Sequence, residues 1–338
     1  LELDDKNYLL LYQKAFVIDS ACPLGSLENY FRLWMDGGAT AMAPTVAVNN
    51  SSHETIGLIA KWLKKIEKQS HDLLLVTLPE DLYKAKQEKK LGIIFHFQNS
   101  LPIESDLNLL SVYHRLGVRI IQLCYNVKNF IGDGCDERTD CGLSEFGIHA
   151  IKEMNRLGIL VDLTHSGHQT TMEAIQTSER PVIFSHSNVY ELCPSPRNLK
   201  DNQIKAVAEK DGVIGVVAFP TFVAKKKHTT VEDLVHHIDY IKDLVGVRHI
   251  GIGLDYWEGM DGIASKEEAN RLYTQLISTG KWKEHSYPPP PWRYPEGIEE
   301  PTRLPNLTKA LLKRGYSEEE ILRILGGNFL RVYKEVWK

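Results

Sequence analysis

Eight short runs of β-branched and apolar residues recur along the chain, each followed by a segment with helical spacing, and this alternation limits the folds open to it. The runs are Phe16–Asp19, Ala39–Val46, Gly92–Phe97, Val118–Cys124, Ile159–Leu163, Pro181–Ser185, Val213–Ala218 and His249–Leu254. Between them lie amphipathic stretches such as Glu54–Lys68, Glu145–Leu157 and Val231–Val245. Several helix-to-strand joints carry Gly (Gly117, Gly158, Gly212, Gly246), the residue that fits a left-handed helix terminus. Strand and helix in alternation call for a parallel sheet with right-handed crossovers, and eight units is the number that closes a barrel. An open doubly wound sheet would want a glycine-rich turn after its first strand, and Ile18 to Pro23 has none. The fold read here is therefore α/β, a (β/α)8 barrel, in one domain over residues 1–338. A Pro-rich insertion at about 260–303 includes four prolines at 288–291, and C-terminal helices fill 304–337, with Ser317 and Glu320 as a capping box.

Composition removes several function classes. The 338 residues are 43% hydrophobic and 25% charged with a net charge of −4, so neither disorder nor a basic phosphate-binding footprint is expected. Five cysteines form no CxxC spacing, which argues against a disulfide framework. The first seven residues carry acids where a signal peptide needs bases, and no stretch nears the ~18 apolar residues of a membrane span. The expectation is a cytoplasmic protein with a small-molecule substrate and neither nucleic-acid nor membrane partners.

In such barrels the reacting groups sit just past the C-terminal ends of the strands. Gln98 follows the third run, Tyr125 and Asn126 the fourth, His165 the fifth, His186 the sixth and Asp255 the eighth. Two imidazoles and a carboxylate from different strands have the composition of a metal site. Arg197, in a Pro-flanked loop after His186, suits a bidentate clamp on a substrate carboxylate. The glycine-rich 126–146 stretch reads as a substrate-covering loop. The adjacent His236 and His237 read as solvated helix residues rather than ligands.

At these residues the sequence resembles the membrane (renal) dipeptidase family, amidohydrolase-like metallopeptidases. The likeness is carried by Leu143-Ser-Glu-Phe-Gly, by Asn155 through the Val-Asp-Leu-Thr-His165 segment, by Phe-Ser-His186-Ser, by Arg197-Asn198, and by His249-Ile-Gly-Ile-Gly-Leu-Asp255. The resemblance implies a two-zinc barrel and a homodimer, with His165 and His186 ligating one metal, Asp255 binding the other and handling the proton, and Arg197 on the substrate carboxylate. The pattern is broken at three places. The first-strand His-x-Asp pair is replaced by Ala21 and Pro23, the bridging Glu by Gln98, and the fourth-strand His by Tyr125. Two cations about 3.5–4 Å apart need bridging anions, so a dinuclear site is not expected. One divalent ion, zinc first, on His165, His186 and Asp255, or no metal at all, is what the residues leave.

The function expected is a dipeptidase-like hydrolase acting on an amide bond of a small carboxylate-bearing substrate. Asp255, His165 and His186 would be catalytic, and Arg197, Tyr125, Asn126 and Gln98 would bind substrate. The alternatives are a C–N lyase or decarboxylase in the same pocket, or a metal-free binding protein.

Overall fold

The computed structural model describes residues 5–338, so part of the acidic opening stretch lies outside the described residues. Ten strands form one all-parallel sheet: β1 Ile18–Cys22, β2 Ala41–Ala47, β3 Leu73–Leu75, β4 Leu91–Ile93, β5 Phe95–Phe97, β6 Val118–Gln122, β7 Leu160–Asp162, β8 Ile183–Phe184, β9 Val213–Val216 and β10 Ile250–Ile252. The sheet closes because β1 pairs with both β2 and β10 (Ile18 with Ala41, Asp19 with Ile252). β4 and β5 act as one barrel strand interrupted at Ile94: β2 pairs with β4 at Gly92 and with β5 at His96. Eight staves therefore enclose the core, in agreement with the eight runs of the sequence. β3 hangs on the outer edge of β4 and was not expected.

The strand residues are fully or nearly fully buried apart from Thr45, Leu74 and Leu75, as parallel strands covered on both faces must be. The helices wrap the outside where the sequence placed them, including Ser52–Lys68, Glu145–Leu157 and Val231–Val245. Ser144 caps the Glu145–Leu157 helix by accepting from Gly147 N, and Gly158 ends it in the left-handed region (φ 81°). Gly212 does not play that role. Asp211 takes the positive φ (58°), while a Cβ on Gly212 would lie 2.2 Å from the Val182 carbonyl oxygen, so close backbone approach explains the glycine.

The two ends of the barrel differ. Ile18, Ala41, Leu160, Ile183 and Val213, the first residues of their strands, pack with Phe329, Val332 and Tyr333 of the C-terminal helix Asn328–Val336, which plugs the strands' N-terminal end. The opposite end is covered by residues 257–303. This stretch contains the helix Lys266–Ser278 and then an irregular run whose aromatic rings pack inward, with Trp282 stacked on Tyr287 at 4.2 Å and 11°. Ser317 and Glu320 form the capping box that the sequence announced. No helix among the described residues is long and apolar enough to cross a membrane.

Candidate active site

The strand ends that carry the chemistry are held in uncommon backbone conformations. Asn126 (φ 60°), His165 (φ 65°) and Asp255 (φ 57°) are three of the seven non-glycine residues with positive φ among the described residues. Such residues cost on the order of 1–3 kcal/mol each and persist where surrounding contacts over-determine them. Here those contacts are visible: Asp255 N donates to Ala21 O (3.0 Å), and Cys135 N donates to His165 O (2.8 Å).

His165 and His186 are brought together, Nε2 to Nε2 at 3.0 Å. His165 Nδ1 bonds Asn126 Oδ1 (2.6 Å), and Tyr125 stacks on its ring at 4.3 Å. His186 Nδ1 bonds Ser185 Oγ (2.8 Å). Burial and the nearby Arg197 guanidinium push both imidazoles well below their usual pKa, so both rings are neutral near pH 7.

Arg197 is 2% exposed and, among the described residues, has no carboxylate partner. Its Nε donates to Tyr287 Oη (3.1 Å), its Nη2 reaches the His186 carbonyl (3.5 Å), and its guanidinium lies 5.1 Å from the centre of the Phe222 ring. A buried guanidinium with no carboxylate in ion-pair contact is a ready receptor for an anion.

Asp255 is half-buried, and loss of solvation pushes its carboxyl up to about 7. The Arg197 charge opposes that rise and the Asp19 charge adds to it. Asp19 itself is fully buried under the first strand end, accepting from Trp34 Nε1 (2.7 Å) and Leu254 N (2.9 Å). The Gln98 side chain faces the Asp255 carboxyl, while its Nε2 makes no hydrogen bond of normal geometry.

Two cavities meet at His165. One, about 390 Å³, is lined by Asp255, Gln98, Tyr125, Trp257, Trp282 and Tyr287. The other, about 480 Å³, holds Arg197, Cys135, Asn198, Lys200 and Lys225. The expected site residues thus converge, but Arg197 and Asp255 face different compartments of the mouth. Tyr125 Oη accepts from Trp282 Nε1 (3.1 Å), and Asn126 bonds both Lys281 O and Tyr287 Oη (2.9 and 3.3 Å). The insertion therefore builds the site wall through Trp282 and Tyr287, which sequence reasoning missed. The density of aromatics at 282–294 was the available signal. The 126–146 loop is fastened to the insertion: Asp136 accepts from Ser286 Oγ (2.5 Å) and lies 3.4 Å from His285 Nε2. His237 is a correction, since it is buried and bolts Val189 N (3.2 Å) to Val223 O (2.8 Å) rather than facing solvent.

Ala21 and Pro23 offer no ligand, Gln98 supplies a neutral amide at the bridging place, and Cys22 is buried against Asp19 O. Among the described residues no three His, Cys, Asp or Glu side chains are grouped to hold a metal. What His165 and His186 present toward a metal is two imidazole Nε2 atoms 3.0 Å apart.

The profile of the membrane dipeptidase family (peptidase family M19) matches residues 35–286 and 292–338. Over 238 residues, 69% of this chain, the sequence is 31% identical to the dipeptidase aclJ of Aspergillus oryzae (strain ATCC 42149 / RIB 40), and it spans about half (49%) of that curated relative's length. Among solved structures, an amidohydrolase from Pseudomonas aeruginosa superposes with a TM-score of 0.88 at 34% identity, covering 98% of this chain and 99% of that one. The probable dipeptidase PvdM from Pseudomonas aeruginosa follows at 0.81, 19% identity and 98% coverage of both chains. A metallo peptidase from Rhodobacter sphaeroides, liganded with a phosphinate mimic of the dipeptide L-Ala-D-Ala, gives 0.77 at 19% identity, covering 95% of this chain and 99% of that one.

Proposed function

Since the chain belongs to the membrane dipeptidase family, we propose that it hydrolyses an amide bond of a small, carboxylate-bearing, dipeptide-like substrate at the mouth where the two cavities meet. The observation that carries this reading is Arg197, a buried cation without an acidic partner beside two neutral histidines. A substrate carboxylate would seat on that guanidinium and place the scissile amide over His165. Asp255, whose raised pKa lies near neutral pH, would take the proton of the attacking water and return it to the leaving nitrogen. Gln98 Nε2, an unpartnered donor in the same cavity, would hydrogen-bond the carbonyl oxygen as charge develops on it. Trp257, Trp282 and Tyr287 would exclude bulk water and strengthen those interactions. One divalent ion on His165 and His186, zinc first, would supply Lewis-acid polarisation when bound.

A panel of dipeptides assayed against the wild type and Asp255→Asn tests the proposal. Turnover in the wild type and loss of at least about 100-fold in the variant are expected for removal of a general base. Equal activity in the two removes Asp255 from the mechanism, and no turnover of any dipeptide counts against the substrate class.

A further inference from the structure

Two sets of hydrogen bonds, one running from Asp162 through Ser185 and the other from Lys281 through Asn126, dictate where the protons of the two site histidines lie. Asp162 is fully buried, and its carboxylate accepts from Thr164 N (3.0 Å), Thr164 Oγ1 (2.7 Å), Ser185 N (3.0 Å) and Ser185 Oγ (2.5 Å). His96 Nε2 lies 3.1 Å from its Oδ2. A serine hydroxyl has one hydrogen, and that of Ser185 is spent on Asp162. Toward His186 Nδ1, 2.8 Å away, Ser185 Oγ can therefore only accept, and that nitrogen must carry the proton.

The second ring is fixed from the other side. Asn126 Nδ2 donates to Lys281 O (2.9 Å), a group that can only accept, so it is Asn126 Oδ1 that faces His165 Nδ1 at 2.6 Å. His165 thus also carries its proton on Nδ1. A neutral imidazole protonated at Nδ1 has its lone pair on Nε2. The two Nε2 atoms stand 3.0 Å apart.

We propose that Asp162, acting through Ser185, and Asn126 are positioning residues that lock both imidazoles as Nδ1–H tautomers, so that two lone pairs converge on one cation-accepting point. Two facing lone pairs repel, and a single cation between them relieves that repulsion. The tautomer statement stands independently of the hydrolytic reading; only the cation-affinity arm rests on His165 and His186 as ligands.

The test is a long-range 1H–15N correlation spectrum of the full, metal-free chain with 15N-labelled histidine, paired with zinc titration calorimetry. The wild type should show His165 and His186 protonated on Nδ1. Ser185→Ala removes the acceptor at His186 Nδ1, so the His186 proton should redistribute to Nε2, where His165 Nε2 can accept it. Zinc affinity should then fall by about 10–100-fold, the usual consequence of losing an outer-shell partner. Asp162→Asn should turn the relay round, sending the Ser185 hydrogen to His186 Nδ1 and the His186 proton to Nε2. If that variant does not fold, Ser185→Ala, which deletes one oxygen, decides. A merely structural role would lower thermal stability and leave the tautomers in place. Protonation of His186 on Nε2 in the wild type overturns the proposal, as does an unchanged tautomer in Ser185→Ala whatever its zinc affinity. Correct tautomers without peptide hydrolysis would leave this proposal standing and count against the function.

Discussion

On the proposed mechanism Asp255 would set the pH behaviour of the site. An aspartate titrates near 3.9 when unfolded, and in this fold loss of solvation brings it up to about 7. Between those values the folded chain binds more protons than the unfolded one, so stability from this group falls as pH rises through the window. As a base the group works only when ionised. We therefore expect kcat/KM to fall about tenfold per unit below pH 7, and Asp255→Asn to melt higher than wild type at pH 8, with the difference vanishing toward pH 4. Thermal melts and pH–rate profiles check both. The residues proposed to act on substrate were legible in sequence because a polar residue just after a strand has one place to go in a barrel. Asp162 and Ser185 were not, because a polar residue inside an apolar strand looks the same whether its partner is a neighbouring turn or a catalytic ring. Tyr287 was hidden for another reason: it is about 90 residues from Arg197 in sequence, and only the folded insertion brings the two together.

At the scale of elements, the joints between helix and strand decide register. Gly158 closes the Glu145–Leu157 helix at φ 81°, and a Cβ there would meet the backbone of Lys338 and Val336 at 2.9 Å. Gly158→Ala should lower stability by at least about 1 kcal/mol, read as a lower urea midpoint with unchanged slope. Helix and strand periodicity made the eight staves and their helices readable, because every stave is buried on both faces and so forms a continuous apolar run. β3 escaped because Leu73–Leu75 is only three residues long, follows soon after a long helix, and carries no alternation to separate it from a helix end. The break at Ile94, which splits one stave into β4 and β5, shows only in hydrogen bonding: Ile94 N bonds Met42 O (3.0 Å), the pairing with β2 resumes at Thr45 and His96, and it shifts register only between Thr45 and Ala47.

For the whole molecule, the barrel divides labour between its ends: the C-terminal helix plugs one, and the aromatic insertion roofs the other over the strand ends bearing His165, His186 and Asp255. Pro23 and Gln98 line the mouth, away from the packed end. Elemental analysis of chain purified without chelator should give no more than one zinc per chain; two per chain would show that the mouth holds a second ion without the missing ligands. The central claim is that a carboxylate-bearing amide is cleaved with its carboxylate on Arg197, and its most direct test compares kcat/KM for a hydrolysed dipeptide with that for its C-terminal carboxamide. A buried guanidinium–carboxylate contact predicts a preference for the free acid on the order of 100-fold; equal rates for the two, or hydrolysis of the carboxamide alone, would contradict it.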